Sequence, residues 1–192
     1  MGLLLLSGCS GPDAPKKAAP RVAGKSVQAP PVTFSVGASE LRGSGTTLPL
    51  PPEIQSGVVA TLDRYLADAV VGPLRTGAPP ADLSPLFTEL AWPRLSGPDR
   101  AAIVDEGVPA GSVTADAAVA NLTGLQGADG AVALVGVHID LRLRVGQLNV
   151  VRSGELVLVP EGDTWRIDGY DLRVSRDSID GTATTVAAAV KS

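Results

Sequence analysis

The most regular stretch of the chain runs from Ala131 to Val145, where apolar and polar residues alternate. Val135, Val137, Ile139, Leu141, Leu143 and Val145 point one way, and His138, Asp140, Arg142 and Arg144 point the other. A period of two is the signature of a strand with one face on a core and one face in water. Three more strands are cut from the same half of the chain. One covers about Ser112–Gln126 and is separated by Gly127-Ala128-Asp129-Gly130; another covers about Asn149–Pro160, with an interruption at Ser153-Gly154; the last, Thr164–Ser175, follows the turn PEGD. In this last strand Trp165 and Ile167 share one parity, while Tyr170, Leu172 and Val174 share the other. A strand changes faces only by inserting a residue, so a bulge is expected at Asp168-Gly169.

Before Gly107 the period is helical. Ile54, Val58, Leu62, Tyr65, Leu66, Ala69 and Val70 form one stripe over Glu53–Val71, and Gly72-Pro73 marks the stop. Ser84-Pro85 starts a second helix reaching Ala91, which presents Leu86, Phe87 and Leu90. A third, short helix begins at Pro98-Asp99 and ends by Gly107. Residues 10–50 lack apolar periodicity and are rich in Pro, Ala, Gly and Ser, so they are expected as a flexible tether. Within them VTFSVGASEL is expected to be extended, as a short strand or lying on the domain. Residues 179–192 are expected as a loose tail. The resulting fold class is α+β: N-terminal helices packed on a bent four-stranded antiparallel sheet, over residues 51–178.

Composition narrows the partners. Apolar residues make up 44% and aromatic residues 3%, so the core rests on Val, Leu, Ala and Ile, and few rings remain for stacking. The net charge of −4 gives no basic footprint for nucleic acid. No stretch approaches the length of a membrane-spanning helix. One cysteine excludes an internal disulfide and a multi-cysteine zinc site.

That cysteine has a distinctive setting. Leu6-Ser7-Gly8-Cys9 resembles the lipobox of bacterial lipoproteins: an apolar residue, two small ones that fit a peptidase cleft, then a thiol that takes a diacylglyceryl group. The resemblance implies residues 1–9 as a truncated signal, lipid (palmitate among its chains) on Cys9 as the first mature residue, and a place on the extracytoplasmic face of the cell membrane. An export signal usually has a basic start and about 7–15 apolar residues. Here only Leu3–Leu6 precede the box, so either the true start lies upstream or the segment is not a functional signal.

The order of helices and strands, with GELVLVPEGDTWRIDGYDLRV near the end, resembles the NTF2-like superfamily, whose domains are α+β cones. With the lipobox, it resembles actinobacterial envelope lipoproteins carrying such domains. The likeness implies a domain that binds a partner protein or a small apolar ligand without catalysis. It also implies pairing of two copies through the outer sheet face carrying His138, Asp140, Arg142 and Arg144. The alternative it implies is an isomerase or dehydratase using Asp, Tyr and His in the cone.

Read on their own, His138 and Asp140 share a strand face opposite the apolar one, which makes them solvated. Tyr170 with Asp116 or Asp168 imitates an acid–base pair only if a carboxylate is buried beside it. Asp99, Asp105 and Glu106 cluster near a helix, where acids serve the dipole. Trp92, Trp165 and Tyr170 suit either the core or the rim of a pocket. GSGTT at 43–47 lacks the Lys of a phosphate loop, and no metal-ligand spacing is present, so no cofactor or metal is expected.

Overall fold

The computed structural model describes residues 31–178 and 183–190, apart from 44 and 81. Seven strands form one mixed sheet: β1 (Ser35–Gly43), β2 (Thr46–Leu48), β3 (Val113–Gln126), β4 (Val132–Val145), β5 (Leu148–Glu161), β6 (Thr164–Ser178) and β7 (Ala183–Val190), in the order β2-β1-β3-β4-β5-β6-β7. β3 to β7 form an antiparallel meander, whereas β1 lies parallel to β3. One helical run precedes the meander: α1 (Pro52–Tyr65), a π-helical stretch Leu66–Val71, and α2 (Gly72–Thr76). A short α3 (Gly97–Ile103) follows. No helix among the described residues is long and apolar enough to cross a membrane.

The expected fold class is corrected by this arrangement. The four strands of the meander lie where the alternation puts them, but the sheet is seven-stranded and mixed, and the helices are not a set of three packed on a four-stranded antiparallel sheet. An NTF2-like cone is therefore not the description of this fold. The strands outside the expected four had weaker signals. β1 is SVGASELRG, largely exposed or half-buried, and overlaps VTFSVGASEL, the extended part of the expected tether. β7 is ATTVAAAV, within the expected tail. β1 also pairs with a strand far along the chain, a contact local periodicity cannot show.

The helical expectations change for physical reasons. Helix continues through Gly72-Pro73 because the turn before it widens to π geometry. Proline has no N–H and crowds the carbonyl four residues back. That carbonyl, of Ala69, instead accepts the N–H of Asp105 at 3.1 Å. The second helix is only a 3₁₀ turn, Ser84–Leu86. Phe87 is extended beyond it and bridges Ile167 on β6 in parallel, because strand pairing outweighs a short helix there.

The core lies between the helical run and one face of the sheet. Val58, Leu62, Tyr65, Leu66, Ala69, Val70 and Leu74 form one buried cluster with Val137, Ile139, Leu141, Leu156, Ile167 and Leu172. The helix covers the apolar face of the sheet. The predicted bulge is present: Gly169 pairs with Val157 and Ile167 with Leu158, leaving Asp168 as the extra residue. Tyr170 and Ile167 are thereby both buried, despite opposite parity. The expected interruption in β5 is bridged. Gly154 stays in register with Ile139 and Leu172, at φ +139°.

Candidate functional site

The bulge organises one end of the molecule. Beside the first half of β6 lies the segment Ser84–Thr88, in place of β7, which pairs only from Tyr170 onward. Thr88 fixes this segment. Its N–H donates to Ile167 O at 3.0 Å, its hydroxyl donates to Asp168 Oδ1 at 2.7 Å, and the hydroxyl oxygen accepts the N–H of Ala91 at 3.2 Å. The chain then turns and lays Trp92 against Phe87, with ring centroids 5.8 Å apart. On the other side, the Trp165 indole rests on α1 at Gly57, where a Cβ would stand 2.8 Å from Cδ1. The Thr61 hydroxyl donates to Trp165 O at 2.9 Å.

Two open grooves adjoin across Pro85 and Arg166. One, of ≈ 380 Å³, runs between α1 and β6 past Gly57, Thr61, Arg64 and Trp165; the other, of ≈ 320 Å³, runs past Phe87, Thr88, Glu89 and Trp92. Both tryptophans of the chain thus wall one surface, each half-buried. Arg166 pairs with Glu161, and Arg64 with Asp68 at 3.5 Å. Asp163 and Glu89 line the grooves with no ion pair among the described residues. Aromatic walls with charges of both signs suit binding, since Trp and Arg dominate the energetics of contact surfaces.

The other expected site residues fall elsewhere. His138, Asp140, Arg142 and Arg144 share the outer face of β4. There His138 Nδ1 lies 3.1 Å from Glu155, Arg142 is 3.3 Å from Asp140, and Arg144 is 3.0 Å from Asp116. Tyr170 lies on the opposite face, in the core. Its hydroxyl is buried without a hydrogen-bond partner. Burial first, and then the nearby Asp99 carboxylate, push its pKa up to about 12, with Arg94 acting against them. The Asp/Tyr/His set expected for an isomerase is therefore not brought together: Asp116 faces Arg144, Asp168 holds Thr88, and the sheet separates His138 from Tyr170. Cys9 lies outside the described residues.

The sequence reading passed over Arg152. It stands fully buried on β5, at the apolar parity shared by Val150 and Leu156. Its Nη2 donates to Asp105 Oδ2 at 2.8 Å, and its Nη1 donates to the Tyr65 hydroxyl at 2.8 Å and to Ile103 O at 3.1 Å. Arg176 donates to the other Asp105 oxygen at 2.6 Å. Asp105 is therefore not a surface acid serving a helix dipole but the centre of a buried ion cluster. Burial alone pushes the Arg152 pKa down, yet Asp105 and Tyr65 outweigh it and leave it raised. Burial raises the Tyr65 pKa, with Arg152 opposing. The available signal was an arginine at an inward position of an otherwise apolar strand.

In comparison with known proteins, no family model, curated protein or solved structure matches the chain.

Proposed function

We propose that this chain is a lipoprotein of the cell envelope, anchored through lipid on Cys9 to the extracytoplasmic face of the membrane, and that its domain is a non-catalytic docking module for an envelope protein. The anchoring rests on Leu6-Ser7-Gly8-Cys9 followed by a Pro/Ala/Gly-rich spacer. Two or three acyl chains hold a protein on a bilayer, whereas one chain does so only marginally. The docking role is supported by one observation above all: both tryptophans wall an open surface at one end of the domain, while the apolar side of the sheet is filled by α1. An open, aromatic-walled surface favours a protein partner over an enclosed apolar ligand.

Metabolic labelling with a palmitate analogue tests the anchor. Label on the native gene product, lost in Cys9→Ala together with membrane association, is expected. An unlabelled native product would overturn the anchoring. For docking, in-cell photocrosslinking from exposed position 60 on α1, which lines the groove with Trp165, and from position 144 on the outer sheet face gives the contrast. Adducts from position 60 alone are expected, and adducts from position 144 alone would move the contact surface to the outer face.

A further inference from the structure

Each groove beside the bulge is walled by a tryptophan, and the groups left unsatisfied there describe an occupant. The Trp165 indole N–H donates to none of the described residues, yet it is not among the buried atoms without a partner, so solvent reaches it. Leu90 lies in sequence between the groove residues Glu89 and Trp92 and is 69% exposed, more than any other large apolar side chain among the described residues. Pro85 is exposed where the two grooves adjoin. The occupant is therefore apolar in part and supplies an acceptor.

The charges of this surface are unequal. Arg166 is matched by Glu161 and Arg64 by Asp68. Arg94 lines neither groove and acts instead on Tyr170. Asp163 in the first groove and Glu89 in the second are exposed, with no ion-pair partner among the described residues. The charge left over in each groove is negative, so the occupant carries cations.

The form of the occupant follows by elimination among the ways a peptide is recognised. A strand cannot add to β6 here, because Phe87 already bridges Ile167 and the Thr88 N–H donates to Ile167 O at 3.0 Å. A helix spends its carbonyls on its own hydrogen bonds and seeks a continuous apolar groove, so it answers neither the indole donor nor Asp163. A phosphopeptide needs unpaired arginines, and the arginines of these grooves are paired. A polyproline II segment has no internal hydrogen bonds. Its carbonyls stay free for an indole donor, and its prolines pack on aromatic walls.

We infer that the docking partner presents a proline-containing segment in polyproline II form, flanked by lysine or arginine. Its prolines lie against Trp165, Pro85 and Trp92, one of its carbonyls accepts the Trp165 N–H, and its cations meet Asp163 and Glu89. The inference rests on the docking role proposed above and names the class of partner for that same surface.

The test titrates the purified full-length Cys9→Ala chain with synthetic peptides: a run of prolines ending in lysines, the same run ending in glutamates, and a glycine–serine run ending in lysines. Both tryptophans of the chain wall the grooves, so its emission reports occupancy. The proline–lysine peptide is expected to shift the emission to the blue and to bind about five-fold tighter than the glutamate peptide, the size that partly exposed ion pairs give. It should also bind tighter than the glycine–serine peptide, and the preference for lysine should shrink as salt is raised. Asp163→Asn combined with Glu89→Gln, both at exposed positions, should remove the preference for lysine over glutamate and leave the preference for proline. Equal binding of the lysine and glutamate peptides, equal binding of the proline and glycine–serine runs, an unchanged preference in the double variant, or no emission change at millimolar peptide would overturn the inference. The two readings fail separately. In-cell adducts from position 60 without peptide binding keep the docking surface and overturn this occupant. Peptide binding without adducts keeps the ligand class of the grooves and overturns docking in the cell.

Discussion

Arg152 and Asp105 meet at 2.8 Å with both side chains wholly buried, and Arg176 closes on the same carboxylate from β6. Removing one member of such a cluster strands a charge in a low-dielectric interior, which costs about 3–5 kcal/mol. Asp105→Ala leaves two guanidinium groups facing each other, so a loss of that size is expected in urea denaturation. Replacing Arg152 by Met in the same chain should recover part of it, because the stranded charge is then gone. A loss below about 1 kcal/mol for Asp105→Ala would show that the cluster is wet.

The Thr88–Asp168 contact makes a smaller claim. Thr88→Val keeps the shape but removes one hydroxyl bond at 2.7 Å to a carboxylate and the acceptor for Ala91 N–H. A charge-assisted bond contributes about 1.5–3 kcal/mol net, and the half-exposed setting of Asp168 points to the lower end. Near-UV circular dichroism should change as well, because Trp92 follows the segment that Thr88 fixes. Unchanged aromatic signals would separate Thr88 from the groove wall.

These two sites show which parts of the molecule the sequence discloses. The bulge at Asp168 was legible because Trp165 and Tyr170 demand opposite parities in one strand, and the meander was legible because Val135 to Val145 alternate without a break. Of the tether-side strand β1 only extended backbone was legible and its place in the sheet was not, since Gly37, Ala38 and Ser39 bury little and its partner β3 lies beyond the whole helical region. Trp92 and Trp165 were legible as pocket or rim residues, but their placement on adjoining grooves depends on Phe87 bridging Ile167, a long-range contact. Arg152 broke the apolar pattern of β5 in plain view. Its meaning needed Asp105, placed there because Pro73 leaves the Ala69 carbonyl free.

Tyr170 sets an alkaline limit. Its folded pKa is raised to about 12, above the ordinary value of 10.0. Above pH 10 the unfolded state therefore releases a proton that the folded state keeps, and stability falls as pH rises from 10 toward 12. Tyr65, raised by burial, acts in the same direction. Tyr170→Phe should flatten part of this decline. At neutral pH it should be neutral or stabilising, because the hydroxyl it removes is buried without a hydrogen bond. A clear loss of stability at pH 7 would mean that the hydroxyl has a partner.

On the outer face, the pairs His138–Glu155 and Arg142–Asp140 are more than one-third exposed on both sides. Exposed pairs contribute between zero and about 1 kcal/mol. His138→Ala and Arg142→Ala should each leave the urea midpoint nearly unchanged. Loss of more than about 2 kcal/mol in either would assign that face a structural role.

Gly57→Ala sets two effects of similar size against each other. In the middle of α1, alanine stabilises a helix over glycine by about 0.5–1 kcal/mol. The new methyl would stand 2.8 Å from Trp165 Cδ1 and 3.1 Å from Nε1, so the indole must move. An off-rotamer side chain costs about 0.5–1.5 kcal/mol. The two nearly cancel, and the urea midpoint should shift little in either direction. The groove should change regardless, with Trp165 pushed toward solvent and its emission shifted to the red in a Trp92→Phe background. A gain of the full helix-propensity increment with unchanged emission would mean that the indole does not rest on Gly57 in solution. Together with the palmitate label lost in Cys9→Ala, this variant distinguishes a lost contact surface from a lost anchor: it should weaken docking through Trp165 while leaving membrane attachment intact.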